Sequence, residues 1–141
     1  MKTKARMALL LPGLLMFSIF IVSGASRVAT PDIGFEFSED KLGHFLIFGL
    51  LATTLLRTPA FRAIGLRGVG LAIFLTASFG GLDEFRQSFT PGRSVEFADW
   101  IADSCGAIVG SLVYYYWGGY RELLEIKVQL RRNRDPRQLR T

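Results

Sequence analysis

The apolar residues of this 141-residue chain do not recur at the period of one helix face or of a strand. They are blocked into four runs, residues 7–25, 42–56, 68–82 and 99–119. A helix at a water-facing surface carries an apolar stripe, whereas a run that is apolar all round is matched to a lipid solvent. Half of the residues are apolar and twelve are Phe, so the runs are long and bulky enough for that solvent. Run 7–25 carries no charge and extends about 28 Å at the helical rise of ~1.5 Å per residue. A hydrocarbon core of ~30 Å asks for roughly 20 residues per helix, and runs 42–56 and 68–82 fall short of it. They span only if the polar residues at their ends dip below the headgroups. The expectation is an all-α membrane protein, a compact bundle of four transmembrane helices formed by residues 1–118, with a basic tail at 119–141.

The first run also resembles a signal peptide, because Lys2, Lys4 and Arg6 lead it and Ser23–Gly24–Ala25 would pass as a cleavage site. It is longer than a usual signal core and three more runs follow, so it is read as a retained helix. Pro12 is expected to kink it, which membrane helices tolerate.

Orientation follows from the basic residues. The leader has Lys2, Lys4 and Arg6 without an acid, and the loop 57–67 has Arg57, Arg62 and Arg67 without an acid. The tail has seven basic residues, from Arg121 to Arg140, against Glu122, Glu125 and Asp135. The other two loops are acidic: Asp32, Glu36, Glu39 and Asp40 in one, Asp83, Glu84, Glu96 and Asp99 in the other. The alternation puts both termini in the cytoplasm and both acidic loops outside. The net charge of +5 is then a topology signal, and no nucleic-acid motif accompanies it. The tail is expected to lie as an amphipathic helix on anionic inner-leaflet lipid. Tyr114, Tyr115, Tyr116 and Trp117 are read as an inner aromatic belt, and the single Cys105 as a small packing residue.

Between these greasy runs the stretch 81–106 gathers Asp83, Glu84, Arg86, Gln87, Arg93, Glu96, Asp99 and Asp103. Asp99, Asp103, Gly106 and Gly110 fall on one helical stripe, whose glycines would let a neighbouring helix come close. On the second run Asp40 and His44 share a face, as do Lys41 and His44. Asp83 and Gln87 share one if the third helix continues that far. An ionisable side chain at membrane depth costs about 2.5–3.5 kcal/mol on insertion scales, so Asp103 is expected to find a partner, either His44 or Arg93. His44, Arg93 and at least two of Glu84, Asp99 and Asp103 are expected to line one cavity open to the outer leaflet.

Three blocks carry a resemblance: Asp40-Lys41-x-x-His44-Phe45, then Asp83-Glu84-x-x-Gln87-x-Phe89-x-Pro91-Gly92-Arg93, then Asp99-x-x-x-Asp103-x-x-Gly106-x-x-x-Gly110. In this order and at these helix ends the chain resembles the VanZ family over about residues 7–118. These are small bacterial membrane proteins named for a determinant of low-level teicoplanin resistance. Many members have Asn where this chain has Asp103. The resemblance implies a multi-pass protein of the bacterial cytoplasmic membrane with its polar site outside.

The residue types suit work on a phosphoester or phosphodiester. Arg93 would hold a phosphate bidentately, with Gln87, Lys41 and Asp83 as further substrate-binding groups. His44 is the group that titrates near neutrality and suits acid–base or nucleophilic work, with Asp40 to orient it. Glu84, Asp99 and Asp103 complete the candidate catalytic set, and they with Asp83 would polarise a hydroxyl or collect a divalent cation. No cofactor is named by the sequence. Three functions fit: an enzyme on a phosphate-containing lipid or lipid-linked envelope precursor, a non-catalytic binder or masker of such precursors, and an ion-coupled carrier. The absence of a detectable inverted repeat disfavours the carrier.

Overall fold

The structure, a computed structural model, describes residues 8–24, 39–90 and 96–124. Among them the chain is helical: α1 (Leu10–Ser23), α2 (Glu39–Leu56), α3 (Pro59–Arg62), α4 (Leu66–Gln87), α5 (Phe97–Tyr116) and α6 (Gly118–Leu124). The helices start and stop where the local chemistry demands. Helix α2 opens at Glu39, and Asp99 lies in the first turn of α5, where the helix dipole favours a negative charge. Thr58 is extended, as the residue before a proline must be, and Pro59 starts α3. Gly65 has φ +56°, the one positive φ among the described residues, and it turns the chain into α4.

Pro12 lies in the first turn of α1, just after the helical run is interrupted at Leu9, and α1 runs on to Ser23. With 14 residues α1 is about 21 Å long at ~1.5 Å per residue, short of a full crossing. The third helix departs from expectation in the other direction. It does not stop at Leu82 but continues to Gln87, reaching 22 residues, because Asp83, Arg86 and Gln87 bond one another across one turn. Of the described helices, α4 is the one long and apolar enough to cross a membrane.

Helix α2 packs most extensively on α5, and α4 covers both. Glycines allow the first contact. A Cβ at Gly106 would collide with the Phe45 carbonyl, one at Gly110 would lie 2.5 Å from the Gly49 carbonyl oxygen, and one at Gly49 would lie 3.0 Å from that of Gly106. The pairings advance together along both chains, so α2 and α5 are parallel. The Thr53 hydroxyl strengthens the seam, donating to Gly49 O at 2.8 Å and Gly110 O at 3.3 Å. Helix α4 runs the opposite way: Trp100 Nε1 donates to Ala77 O at 2.9 Å, while Val69 meets Tyr114 at the far end. Ile19 of α1 joins Phe48 and Leu51 in a second apolar cluster.

Two residues assigned to the surface or the packing exchange roles. Tyr114 is buried in the core with Leu55, Leu56, Val69 and Ala72, so it does not belong to the aromatic belt, whereas Tyr116 and Trp117 are exposed. Cys105 is exposed and fills no gap. Both follow from the turn of α5, which points Asp103, Gly106, Ala107, Ser111 and Tyr114 inward. The tail beyond residue 124, with its expected amphipathic helix, lies outside the described residues. The part described, α6, lays Tyr120 and Leu124 on the core cluster.

Burial is inverted relative to a water-soluble protein. Thr53, Thr54, Thr76, Asp83, Glu84, Gln87, Asp99, Asp103 and Ser111 are buried, while Leu14, Phe17, Val22, Leu46, Phe74, Leu82 and Ile101 are exposed. Such a surface points to lipid as the surrounding medium.

Gly106→Leu is expected to destabilise the protein by about 3 kcal/mol or more, because backbone rather than a flexible side chain stands in the way. Gly70→Ala, where an added Cβ meets nothing within 4 Å, should leave stability unchanged or slightly higher. Thermal unfolding of the two variants in detergent measures the difference, and equal midpoints would contradict the packing described.

Candidate functional site

Four helix ends meet at one end of the bundle: the close of α1 at Ser23, the opening of α2, the close of α4 and the opening of α5. The register set by the glycine seam brings the two openings side by side. Lys41 Nζ donates to Asp99 Oδ1 at 2.7 Å and to Glu96 Oε2 at 3.1 Å. One turn deeper, His44 Nδ1 lies 2.9 Å from Asp103 Oδ1. Asp103 is 1 % exposed, and Gly80 of α4 makes room for it: a Cβ there would lie 2.6 Å from Asp103 Oδ2. The imidazole is also stacked over Phe48, at 6.2 Å between centroids.

The close of α4 forms the other wall. Gln87 Nε2 donates to Asp83 Oδ2 at 3.1 Å and to Glu84 Oε1 at 3.2 Å. Glu84 Oε2 accepts the backbone N–H of Glu96 at 3.1 Å, which ties the start of α5 to the end of α4. Asp83 Oδ1 accepts from Arg86 Nη2 at 2.9 Å, and the same nitrogen donates to Ser23 Oγ at 2.6 Å. The Arg86 guanidinium also covers the Phe20 ring at 4.1 Å. Arg86 therefore fastens α1 to the cluster.

Of the residues expected at the site, the structure brings together His44, Asp103, Asp99, Lys41 and Asp40 on one side, and Glu84, Gln87 and Asp83 on the other. Asp40 is the exposed member, its Oδ1 4.0 Å from His44 Nε2. Asp40 was expected to orient the imidazole, but the hydrogen bond that does so comes from Asp103, because the helix turn points His44 Nδ1 at α5. Arg93 and the rest of the turn after Thr90 fall in the segment 91–95, outside the described residues; the partner found for Asp103 is His44.

The polar side chains at this end bond one another, and the loop 91–95 that would border the expected outer cavity lies outside the described residues. A cavity of about 140 Å³ lies at the opposite end, lined by Leu56, Phe61, Arg62, Tyr114, Tyr115 and Arg121. Arg86 and Glu96 belong to the cluster, although neither was among the expected site residues. Arg86 lies three residues after Asp83, a helical pairing that was open to view once the helix was carried past Leu82. Glu96 is joined to Lys41 across 55 positions, and no local signal announces that.

An imidazole fixed through one nitrogen by a buried carboxylate can present its other nitrogen for proton transfer or for a ligand. Here Nε2 lies 4.0 Å from both Asp40 Oδ1 and Asp99 Oδ2. Those distances are too long for hydrogen bonds.

Because His44 is the chain's single histidine, its ring nitrogens are a clean spectroscopic probe. Asp103→Leu should cost about 1–3 kcal/mol, since it leaves Nδ1 without its acceptor. It should also shift the ¹⁵N resonances of the ring. An unchanged ring spectrum would mean that the pair does not form.

Comparison with known protein families matches most of the chain. The family model described as VanZ/LLP1 covers residues 14–118, bearing out the resemblance carried by the three motif blocks. No curated protein and no solved structure matches the chain.

Proposed function

The chain belongs to the VanZ/LLP1 family, and from that premise we propose a multi-pass membrane protein that acts on a phosphate-containing lipid head group or lipid-linked envelope precursor. In this reading α1, α2, α4 and α5 cross the bacterial cytoplasmic membrane with both termini inside. Residues 1–118 form the transmembrane domain and 119–141 a basic tail on anionic inner-leaflet lipid. Three observations support it: the inverted burial, the apolar length of α4, and the gathering of polar helix ends at one end of the bundle.

The observation that carries the catalytic reading is the His44–Asp103 pair. With Asp103 ionised, Nδ1 keeps the proton and donates it to the carboxylate, and the lone pair lies on Nε2. A hydroxyl brought to Nε2 gives up its proton as its oxygen attacks phosphorus, and Asp103 stabilises the imidazolium formed. The same proton then returns to the departing oxygen. Asp40, Asp99 and Glu84 border that position, Asp83 and Gln87 form its far wall, and Lys41 holds Asp99 in place. Arg93 is proposed to grip the phosphate on the loop between α4 and α5.

A second reading is favoured by the pairing of Lys41 with both Glu96 and Asp99, which gives the cluster the character of a clamp. The protein is then a non-catalytic binder or masker of lipid-linked precursors, conferring low-level resistance of the teicoplanin type. Mass-spectrometric profiling of membrane lipids from cells with and without the protein separates the two. Catalysis predicts a changed lipid species that His44→Gln abolishes, by about 100-fold or more in turnover. Identical profiles with an intact resistance effect would leave the binder.

The orientation has its own check. In a Cys105→Ala background, Thr90→Cys should react with an impermeant maleimide added to intact cells, and Ala60→Cys should react only after permeabilisation. The reverse pattern would invert the bundle.

A further inference from the structure

We propose that Asp40, His44 and Asp99 hold a divalent cation at the mouth of the cluster, and that this ion receives the phosphate. The second clause rests on the lipid reading above; the first does not, and an ion on Nε2 replaces the general-base role given to that nitrogen there.

Geometry is the first ground. His44 Nε2 is 4.0 Å from Asp40 Oδ1 and 4.0 Å from Asp99 Oδ2, and one ligand atom from each of the three residues lies within 4.8 Å of the others. They are too far apart to bond and too close to be indifferent. An ion among atoms so spaced sits within about 2.8 Å of each or nearer, and bonds from such atoms to Zn²⁺ or Ca²⁺ run from ~2.0 to ~2.6 Å. One nitrogen with two carboxylates suits a first-row ion such as Mn²⁺ or Zn²⁺ better than Mg²⁺.

The support behind the ligands is the second ground. A metal-binding histidine commonly gives its other ring N–H to a carboxylate, which fixes the tautomer and the ring plane. Asp103 stands at Nδ1 at 2.9 Å, itself held in a slot that Gly80 leaves open. Lys41 binds Asp99 through Oδ1 and so turns Oδ2 toward the imidazole. Asp40 lies at the exposed rim, so the remaining coordination positions open outward, as a site that takes up a substrate oxygen requires.

Charge is the third. The described cluster sets the carboxylates of Asp40, Asp83, Glu84, Glu96, Asp99 and Asp103 against Lys41, Arg86 and His44. Even with His44 charged, acids outnumber bases, and both Lys41 and Arg86 are already bonded to carboxylates. A phosphate approaching Nε2 meets an acidic mouth. A divalent ion on Asp40 and Asp99 reverses the local sign and gives the phosphate oxygen a place to bind.

The full-length protein in detergent, freed of metal with a chelator, is titrated with Mn²⁺ alone. The expected result is one saturable Mn²⁺ per chain by calorimetry, with selective paramagnetic broadening of the His44 ring resonances. Asp40→Asn, at an exposed position, should weaken binding at least tenfold, as should Asp99→Asn. Asp103→Asn, acting through the imidazole, should weaken it tenfold or more while the fold survives. Glu122→Gln, at the other end of the bundle, should leave it unchanged. Absence of saturable binding, an unbroadened His44, or binding indifferent to Asp40→Asn would overturn the site. These measurements contain no lipid, so a failed metal site leaves the lipid reading standing. Conversely, bound Mn²⁺ with unchanged lipid profiles removes the phosphate role alone.

Discussion

The backbone contact between α2 and α5 is the constraint on which the other contacts depend. In a lipid solvent apolar side chains gain little by meeting one another, so helices associate through close packing and hydrogen bonds. Gly49, Gly106 and Gly110 supply the closeness, and the Thr53 hydroxyl supplies bonds along the same seam. The contact also fixes register. With Gly106 against Phe45, Lys41 stands opposite Asp99 and His44 opposite Asp103. A slip of one turn, about 5.4 Å, would break both pairs.

The ion pairs and the glycine seam support each other. A buried carboxylate without a partner is costly, so Asp103 favours arrangements that bring His44 to it. The cost of forming the cluster is spread over many bonds: Gln87 satisfies two acids, Glu84 reaches a backbone N–H, and Arg86 reaches back to Ser23. Four helix ends are held at one end of the bundle by polar bonds, while the other end is held by the cluster of Leu55, Leu56, Val69, Ala72 and Tyr114. The molecule is thus polar and directional at one end, apolar and general at the other.

That asymmetry bears on what the site can do. A single imidazole is backed by a buried carboxylate and stands near two more. The neighbouring acids make this end of the bundle attractive to cations. Arg121 does comparable work at the opposite end: it donates to the carbonyls of Tyr114 and Tyr115, closing α5 with its guanidinium over the Tyr114 ring.

The sequence by itself determined the helical class, the family, and which polar residues share a helix face. Apolar blocks, the alternating charge of the loops and the 0, 4, 7, 11 spacing of Asp99, Asp103, Gly106 and Gly110 are local patterns, and helical periodicity converts them directly into faces. Lengths were less legible. Helix α4 outran its apolar block because Asp83, Glu84 and Gln87 are satisfied inside the bundle, and a hydropathy run ends wherever a charge begins. Tertiary structure alone decided the pairings: Asp103 with His44, Lys41 with Glu96 and Asp99, and Arg86 with Ser23. It also decided that Tyr114 is core and Cys105 surface. These depend on the rotation and register of one helix against another, which the glycine seam sets and which no stretch of either helix specifies alone.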